Sequence, residues 1–326
     1  MGLPINPFTS PLGAKESCVP GTILEPGQIE ASANIPPFLN LPPHDLFARR
    51  AARLRQLAEG HPLGDYLKLL ASICNTQQRL LDRTHLPLPD TTALERSQKH
   101  GMPPLAYETL VREGAWLPML DGLLELAHVD NPAVGDALNR LREAEDGQRK
   151  AWALALLNGQ FDLLPAALVP FLGAALQVAF SHWLLSLPED AVSETGACTL
   201  CPVCGAPPVA GMIRHRGRHN GLRYLSCSLC SCEWHYVRVK CSHCEESKGL
   251  AYYSLQREGI AIDQAPLRAE TCPGCQGYLK QFYLEYDPDA EAQADDLASL
   301  ALDLRLSEDG YLRRAPNLLL APGGED

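Results

Sequence analysis

The stretch Leu222-Arg-Tyr-Leu-Ser-Cys227-Ser-Leu-Cys230-Ser-Cys232-Glu233-Trp-His-Tyr-Val-Arg-Val-Lys240-Cys241-Ser-His-Cys244 decides the fold of this chain. It carries two Cys-x-x-Cys pairs, and two residues between thiols let one tight turn aim both sulfurs at a single ion. The ten residues from Ser231 to Lys240 contain no Gly, Pro or Asn, and Glu233 to Lys240 is a run of strand formers. If extended, they hold the two pairs about 30 Å apart, so these pairs are not expected to share an ion. Each therefore needs another partner. Twenty-two residues separate Cys204 of the pair Cys201/Cys204 from Cys227, and 27 separate Cys244 from Cys272 of the pair Cys272/Cys275. Both gaps leave room for strands running out and back.

The spacing thus predicts one four-thiolate site from Cys201, Cys204, Cys227 and Cys230, and a second from Cys241, Cys244, Cys272 and Cys275. An interleaved arrangement, first pair with third and second with fourth, stays open. Gly205 and Gly277 follow two of the pairs and supply the positive φ that points backbone N–H groups at thiolates. Thiolate softness admits zinc or iron, and the knuckles Cys201-Pro-Val-Cys-Gly205 and Cys272-Pro-Gly-Cys-Gln-Gly277 occur in rubredoxin and in zinc ribbons alike. The simplest role for such ions is to hold a small β-domain together. Cys198 and Cys232 stand outside the pairs and read first as spare thiols, with alternative ligands of a mixed site as the second reading. His215, His219, His235 and His243 read as surface groups, since eight thiols are already available. Arg214, Arg216, Arg218 and Arg223 could balance metal–thiolate charge, bind an acidic partner or be solvated.

Ten of the 12 cysteines fall between Cys198 and Cys275, so the feature is local. The charge of −11 is uneven as well: residues 1–197 carry −7, residues 198–286 carry +3, and residues 287–326 carry −7. Such a balance disfavours nonspecific nucleic-acid binding by the whole molecule. The first ten residues lack a basic start and are broken by Pro4 and Pro7, so no secretory signal is expected and the reading is cytoplasmic. Reducing conditions there favour metal-ligand thiols over disulfides.

Residues 1–43 hold nine prolines and read as an extended lead-in. Helical spacing then predicts helices from Asp45, over Gly64–Thr84, and at about 104–112, 116–127, 132–157 and 164–187. Cys74 falls on an apolar stripe as a core residue. Arg49, Arg50, Arg53 and Arg55 read as a solvated face. Leu163–Leu187 has bilayer length, but Pro165, Pro170, Gln177 and His182 argue for a buried core helix. Beyond residue 197 the period changes to 2: Val209–Arg214 and Leu222–Leu225 flank a predicted Asn220-Gly221 hairpin turn, and Gln281–Tyr286 reads as a strand. A helix from Asp287 to Gly310 follows. No Gly-rich phosphate loop, His-Glu-x-x-His or Gly-x-Ser-x-Gly motif is present, so no catalytic residue is assigned.

Leu222 to Cys230, running into Glu233 to Cys244, resembles the signature of the formate dehydrogenase accessory protein FdhE family. So does Leu46-Phe-Ala-Arg-Arg-Ala51 followed by Gly60-His-Pro-Leu-Gly-Asp65-Tyr66. The resemblance covers roughly residues 35 to 315. It implies a non-enzymatic assembly factor that binds the catalytic subunit of a formate dehydrogenase, with iron favoured over zinc and the eight paired cysteines as ligands. A rubredoxin-like electron-transfer protein and a zinc-ribbon nucleic-acid binder are the alternatives.

The expected fold is α+β and multidomain. It comprises a lead-in (1–43), an α-helical domain (44–196), two tandem rubredoxin-like four-Cys modules (197–240 and 241–286), and a C-terminal helix with an acidic tail (287–326).

Overall fold

Apolar residues recur at helical spacing from Leu46 to Trp183, and in the computed structural model they coil into helices. Described are residues 5–8, 37–88, 91–127, 131–188, 190–192, 198–216, 219–255 and 264–321. The helices are α1 (Leu46–Ala58), α2 (Gly64–Arg83), α3 (Thr91–His100), α4 (Tyr107–Glu113), α5 (Leu117–Leu126), α6 (Pro132–Glu143), α7 (Asp146–Leu157) and α8 (Val169–Ser186). At the centre lies α8, with α2, α5 and α7 packed around it. It is long and apolar enough to cross a membrane, yet 94% of its apolar window is buried inside the protein, as befits a core helix. Gly173 is required there: a Cβ would fall 1.8 Å from the Leu318 carbonyl oxygen, where the C-terminal segment crosses the helix.

The single helix expected over 132–157 is broken at Ala144 and Glu145, both extended. The cause is Arg149, whose buried guanidinium donates to the carbonyls of Leu141 and Arg142 and closes the end of α6. No local break residue announces that contact. The basic run on α1 also differs from expectation. Arg49 and Arg55 face solvent, whereas Arg50 and Arg53 are buried and pair with Glu291, Asp287 and Asp295. The acidic C-terminal segment supplies their counter-charges.

The strands are β1 (Ile5–Phe8), β2 (Leu39–Asn40), β3 (Pro208–Arg216), β4 (His219–Cys227), β5 (Glu233–His235), β6 (Ala251–Leu255), β7 (Leu267–Cys272), β8 (Gly277–Tyr283) and β9 (Leu312–Arg313). They form one mixed sheet in the order β1-β6-β7-β8-β3-β4-β5-β2, with β9 on β8. Two antiparallel hairpins, β3–β4 and β7–β8, are joined by parallel pairing of β3 with β8. The Cys-rich segments read as tandem units therefore lie on one continuous sheet. The β3–β4 hairpin does not turn at Asn220-Gly221: His215 pairs with Asn220 and Arg216 with His219, so Asn220 and Gly221 belong to β4. Gly221, at φ +80°, instead sits beside a register shift.

The strand expected over 233–240 ends at His235. Arg223 bends the chain away, because its guanidinium donates to the carbonyls of Val237 and Lys240. Its side chain, fully buried, also reaches from β4 to Glu270 on β7 at 2.7 Å. Gly211 on β3 clears the way: a Cβ there would meet Gln281 Cγ at 3.3 Å and Arg223 Cδ at 3.6 Å. Tyr252 and Gln281 complete the hydrogen bonds to Glu270.

The C-terminal helix predicted as continuous is two pieces, α9 (Ala292–Leu297) and α10 (Leu300–Glu308). Buried Lys280 of β8 takes the Asp296 carbonyl and Ser299 Oγ at the break, and pairs with Asp296 and Asp303.

Arg223→Met is expected to leave Glu270 buried without its partner and cost about 3–5 kcal/mol, read from urea unfolding. Arg49→Ala, on an exposed pair, is expected to change stability by less than about 1 kcal/mol.

Candidate metal centres

Each Cys-x-x-Cys pair needs the chain to reverse within six residues, and the four do so in the same way. The residue after the second cysteine is left-handed in every case: Gly205 at φ +80°, Ser231 at +59°, Glu245 at +65° and Gln276 at +53°. Among the described residues, those last three are all the non-glycine residues at positive φ. Side chains there cost roughly 1–2 kcal/mol each, a strain that clusters at sites with a function to serve. The positive φ expected at Gly277 belongs to Gln276; Gly277 is needed for closeness, since a Cβ would meet Arg314 at 2.7 Å. Backbone bonds close the first three loops, from Cys201 N to Ala206 O (2.9 Å), Cys227 N to Cys232 O (2.9 Å) and Cys241 N to Glu246 O (2.8 Å). In the fourth, Cys272 pairs with Gly277 across the β7–β8 turn.

These turns aim amides at sulfur. Leu229 N and Cys230 N donate to Cys227 Sγ, and His243 N donates to Cys241 Sγ, each at 3.4 Å. N–H donors of this kind favour the thiolate that a metal requires.

The pairs meet in chain order and are not interleaved. The sulfurs of Cys201, Cys204, Cys227 and Cys230 lie within 4.8 Å of one another, as do those of Cys241, Cys244, Cys272 and Cys275. In both tetrads the first cysteine of one knuckle faces the second of the other: Cys201–Cys230 at 3.6 Å and Cys204–Cys227 at 3.4 Å, then Cys241–Cys275 at 3.9 Å and Cys244–Cys272 at 3.6 Å. A tetrahedral ion with metal–sulfur bonds of about 2.3 Å needs sulfurs ~3.8 Å apart. The donor type and spacing suit such an ion in both places.

The surroundings of the tetrads differ. All four cysteines of the first are buried and belong to the same apolar core as the helices. The second has Cys244 exposed and Cys275 half-buried. In the first tetrad burial opposes ionisation of Cys201, but the S–H groups of Cys204, Cys230 and Cys232 bring its pKa down to about 6. Burial and the neighbouring sulfurs push Cys204 and Cys230 well above the usual thiol value. In the second, backbone N–H donation at Cys244 lowers its pKa, while burial pushes Cys241 up to about 12.

The helices hold the first tetrad directly. Gln177 Nε2 donates to Ser228 O at 2.9 Å and Ser181 Oγ to Cys230 O at 3.3 Å, both from α8. Gln293 of α9 also donates to Ser228 O, and Arg50 of α1 donates to Ser231 Oγ. At the entry to α4, Leu105 N and Tyr107 N donate to the carbonyls of Val203 and Cys204. The second tetrad leans instead on the C-terminal segment, through Leu312 N to Gln276 O at 2.7 Å and Arg314 to Cys275 O.

The other cysteines fall apart from one another. Cys74 is a buried residue of α2 whose thiol burial pushes up to about 12, and the carbonyl of Cys198 accepts from Trp234 Nε1. Cys18 lies outside the described residues. Cys232, read from sequence as spare, is fully buried with its sulfur 3.3 Å from Cys201 Sγ and 3.5 Å from Cys230 Sγ. The Cys-x-x-Cys spacing does not reveal it, because it lies two positions past Cys230, outside that pattern. Of the imidazoles, His235 stacks edge-on against Tyr224, and His243 is exposed.

Comparison with known proteins finds three family matches in chain order: FdhE, N-terminal, over residues 35–197; FdhE, central domain, over 200–238; and FdhE, C-terminal domain, over 239–320. The chain is 71% identical over 306 residues to a Protein FdhE homolog of Pseudomonas aeruginosa, covering 93% of this chain and 99% of that one. It is 40% identical over 292 residues to Protein FdhE of Salmonella arizonae, covering 89% and 92%. A solved structure titled as the FdhE protein from Pseudomonas aeruginosa, 70% identical, superposes with a TM-score of 0.84 over 88% of this chain and 100% of that chain.

Alkylation of the native protein with iodoacetamide, mapped by mass spectrometry, is expected to modify Cys244 first and to spare Cys201, Cys204, Cys227 and Cys230 until unfolding. Equal labelling of both tetrads would contradict the difference in burial.

Proposed function

The chain belongs to the FdhE family, and on that premise we propose that it is a non-catalytic maturation factor that holds two metal ions and docks on the catalytic subunit of a formate dehydrogenase. The observation that carries the reading is the pair of sulfur tetrads, one inside the helical core and one at the surface of the same sheet. Iron is favoured by the family resemblance and zinc is the alternative, since both accept four thiolates. A bound ion supplies a cross-link between two knuckles and, if it is iron, a one-electron couple. The chain's own residues do the rest: Arg50, Gln177, Ser181 and Gln293 fix one knuckle of the buried site against the helices, and the left-handed turns orient the sulfurs.

In this reading Cys201, Cys204, Cys227 and Cys230 ligate one ion, and Cys241, Cys244, Cys272 and Cys275 the other. The client meets the surface around the second site, where Cys244 is open and Val237 and Val239 are exposed at 45% and 68%. The cytoplasm suits the eleven cysteines that stand unbridged among the described residues.

The exposure of Cys244 favours one second reading, electron transfer to the client through an iron centre. Nucleic-acid binding draws no support, because Arg223 is spent inside the sheet and Arg214 on Glu233 at 2.6 Å.

Co-purification without oxygen is expected to recover the cognate formate dehydrogenase catalytic subunit in a stoichiometric complex, and its absence would overturn the docking role. The visible spectrum separates the readings: ferric four-thiolate centres absorb, and a colourless protein with two zinc ions would remove electron transfer while leaving the scaffold.

A further inference from the structure

The first tetrad has a fifth sulfur at its edge. Cys232 Sγ lies 3.3 Å from Cys201 Sγ and 3.5 Å from Cys230 Sγ, while those two are 3.6 Å apart. Cys232 is thus as close to two of the four thiols as they are to each other. It is fully buried, where a thiol competes for an ion without competition from water.

Its placement is as well determined as that of the paired cysteines. Cys232 is the sixth residue of its knuckle, and its carbonyl closes the loop onto Cys227 N. Ala206, Glu246 and Gly277 occupy that position in the other three knuckles. The left-handed Ser231 turns the chain between Cys230 and Cys232, and Arg50 holds the Ser231 hydroxyl at 3.2 Å. The same left-handed turn precedes Ala206, Glu246 and Gly277, so the turn belongs to every knuckle, and what sets this one apart is the sulfur it carries to Cys201 and Cys230.

Resting on the reading of this tetrad as a metal site, we propose that Cys232 is a reserve ligand that replaces Cys201 or Cys230 on the ion. In the exchange the bond from the metal to the outgoing sulfur breaks and a bond to Cys232 forms. The proton lost by Cys232 goes to the released thiolate, so charge and electron count are unchanged. Cys204, whose close sulfur contact is with Cys227, gains no such substitute. The consequence is a buried site that tolerates loss of one particular pair of ligands singly and holds its ion more slowly exchangeable than a four-thiol site would.

The test uses Co²⁺ on the full chain, with bound ion counted by elemental analysis and thiolate number read from the sulfur-to-cobalt absorption. Wild type is expected to bind two ions. Cys201→Ser is expected to keep two, with four thiolates on each, and Cys201→Ser/Cys232→Ser to keep one. Cys204→Ser is expected to keep one whether or not Cys232 is present. Equal cobalt content and spectra for Cys201→Ser with and without Cys232 would overturn the proposal. Fewer than two ions on wild type would overturn the underlying metal-site reading and the proposal with it. If Cys201→Ser does not fold, the folded wild type and Cys232→Ser decide: the variant is expected to lose one of its two ions several-fold faster to a chelator, and equal rates would overturn the proposal.

Discussion

A tight loop carried into the interior brings carbonyl groups that no helix or sheet ladder can satisfy, and this constraint shapes the molecule. The knuckle from Cys227 to Cys232 is buried, and a buried carbonyl without a partner costs about 1–3 kcal/mol. The helical part meets the need with polar side chains placed where an apolar core would otherwise have none. Gln177 and Ser181 interrupt the apolar helix α8 and reach Ser228 O and Cys230 O, and Gln293 comes from α9. Arg50 binds Gln177, Ser231 and Glu291 at once and thereby ties α1, α8, the knuckle and the C-terminal segment together. The helices and the first sulfur tetrad are parts of one structure, because each supplies what burial denies the other.

The two tetrads share a sulfur geometry but not a setting. The first is locked between helices and sheet. The second stands at the far hairpin, braced by the C-terminal segment through Gln276 and Cys275, with Cys244 in solvent. The parallel pairing of β3 and β8 and the Arg223–Glu270 pair couple the hairpins that carry them. An ion bound in the first would therefore bear on the stability of the whole chain, whereas one bound in the second would be open to solvent through Cys244.

Much of this was legible in the sequence. The 3.6-residue period located most of the helices, and the Cys-x-x-Cys spacings favoured two tetrads in chain order while leaving an interleaved pairing open, which the sulfur positions decide. What was hidden depends on distant contacts. Arg50 and Arg53 look like a solvated stripe until Asp287, Glu291 and Asp295 are placed beside them. The strand after Glu233 stops because Arg223 claims carbonyls at Val237 and Lys240, and the C-terminal helix breaks where Lys280 takes the Asp296 carbonyl. Neither event leaves a local mark. Ser231, Glu245 and Gln276 adopt left-handed conformations that residue type alone would assign to glycine, and Cys232 joins the first tetrad only through one of those turns.

The central claim is that the first tetrad and the helices form one cooperative unit, and anaerobic urea unfolding of the metal-loaded protein tests it most directly. Far-ultraviolet circular dichroism follows the helices while a chromophoric chelator reports released metal. The account predicts that one ion leaves before the helical signal changes and that the other leaves only with it. Release of both ions from a chain whose helices remain intact would contradict it.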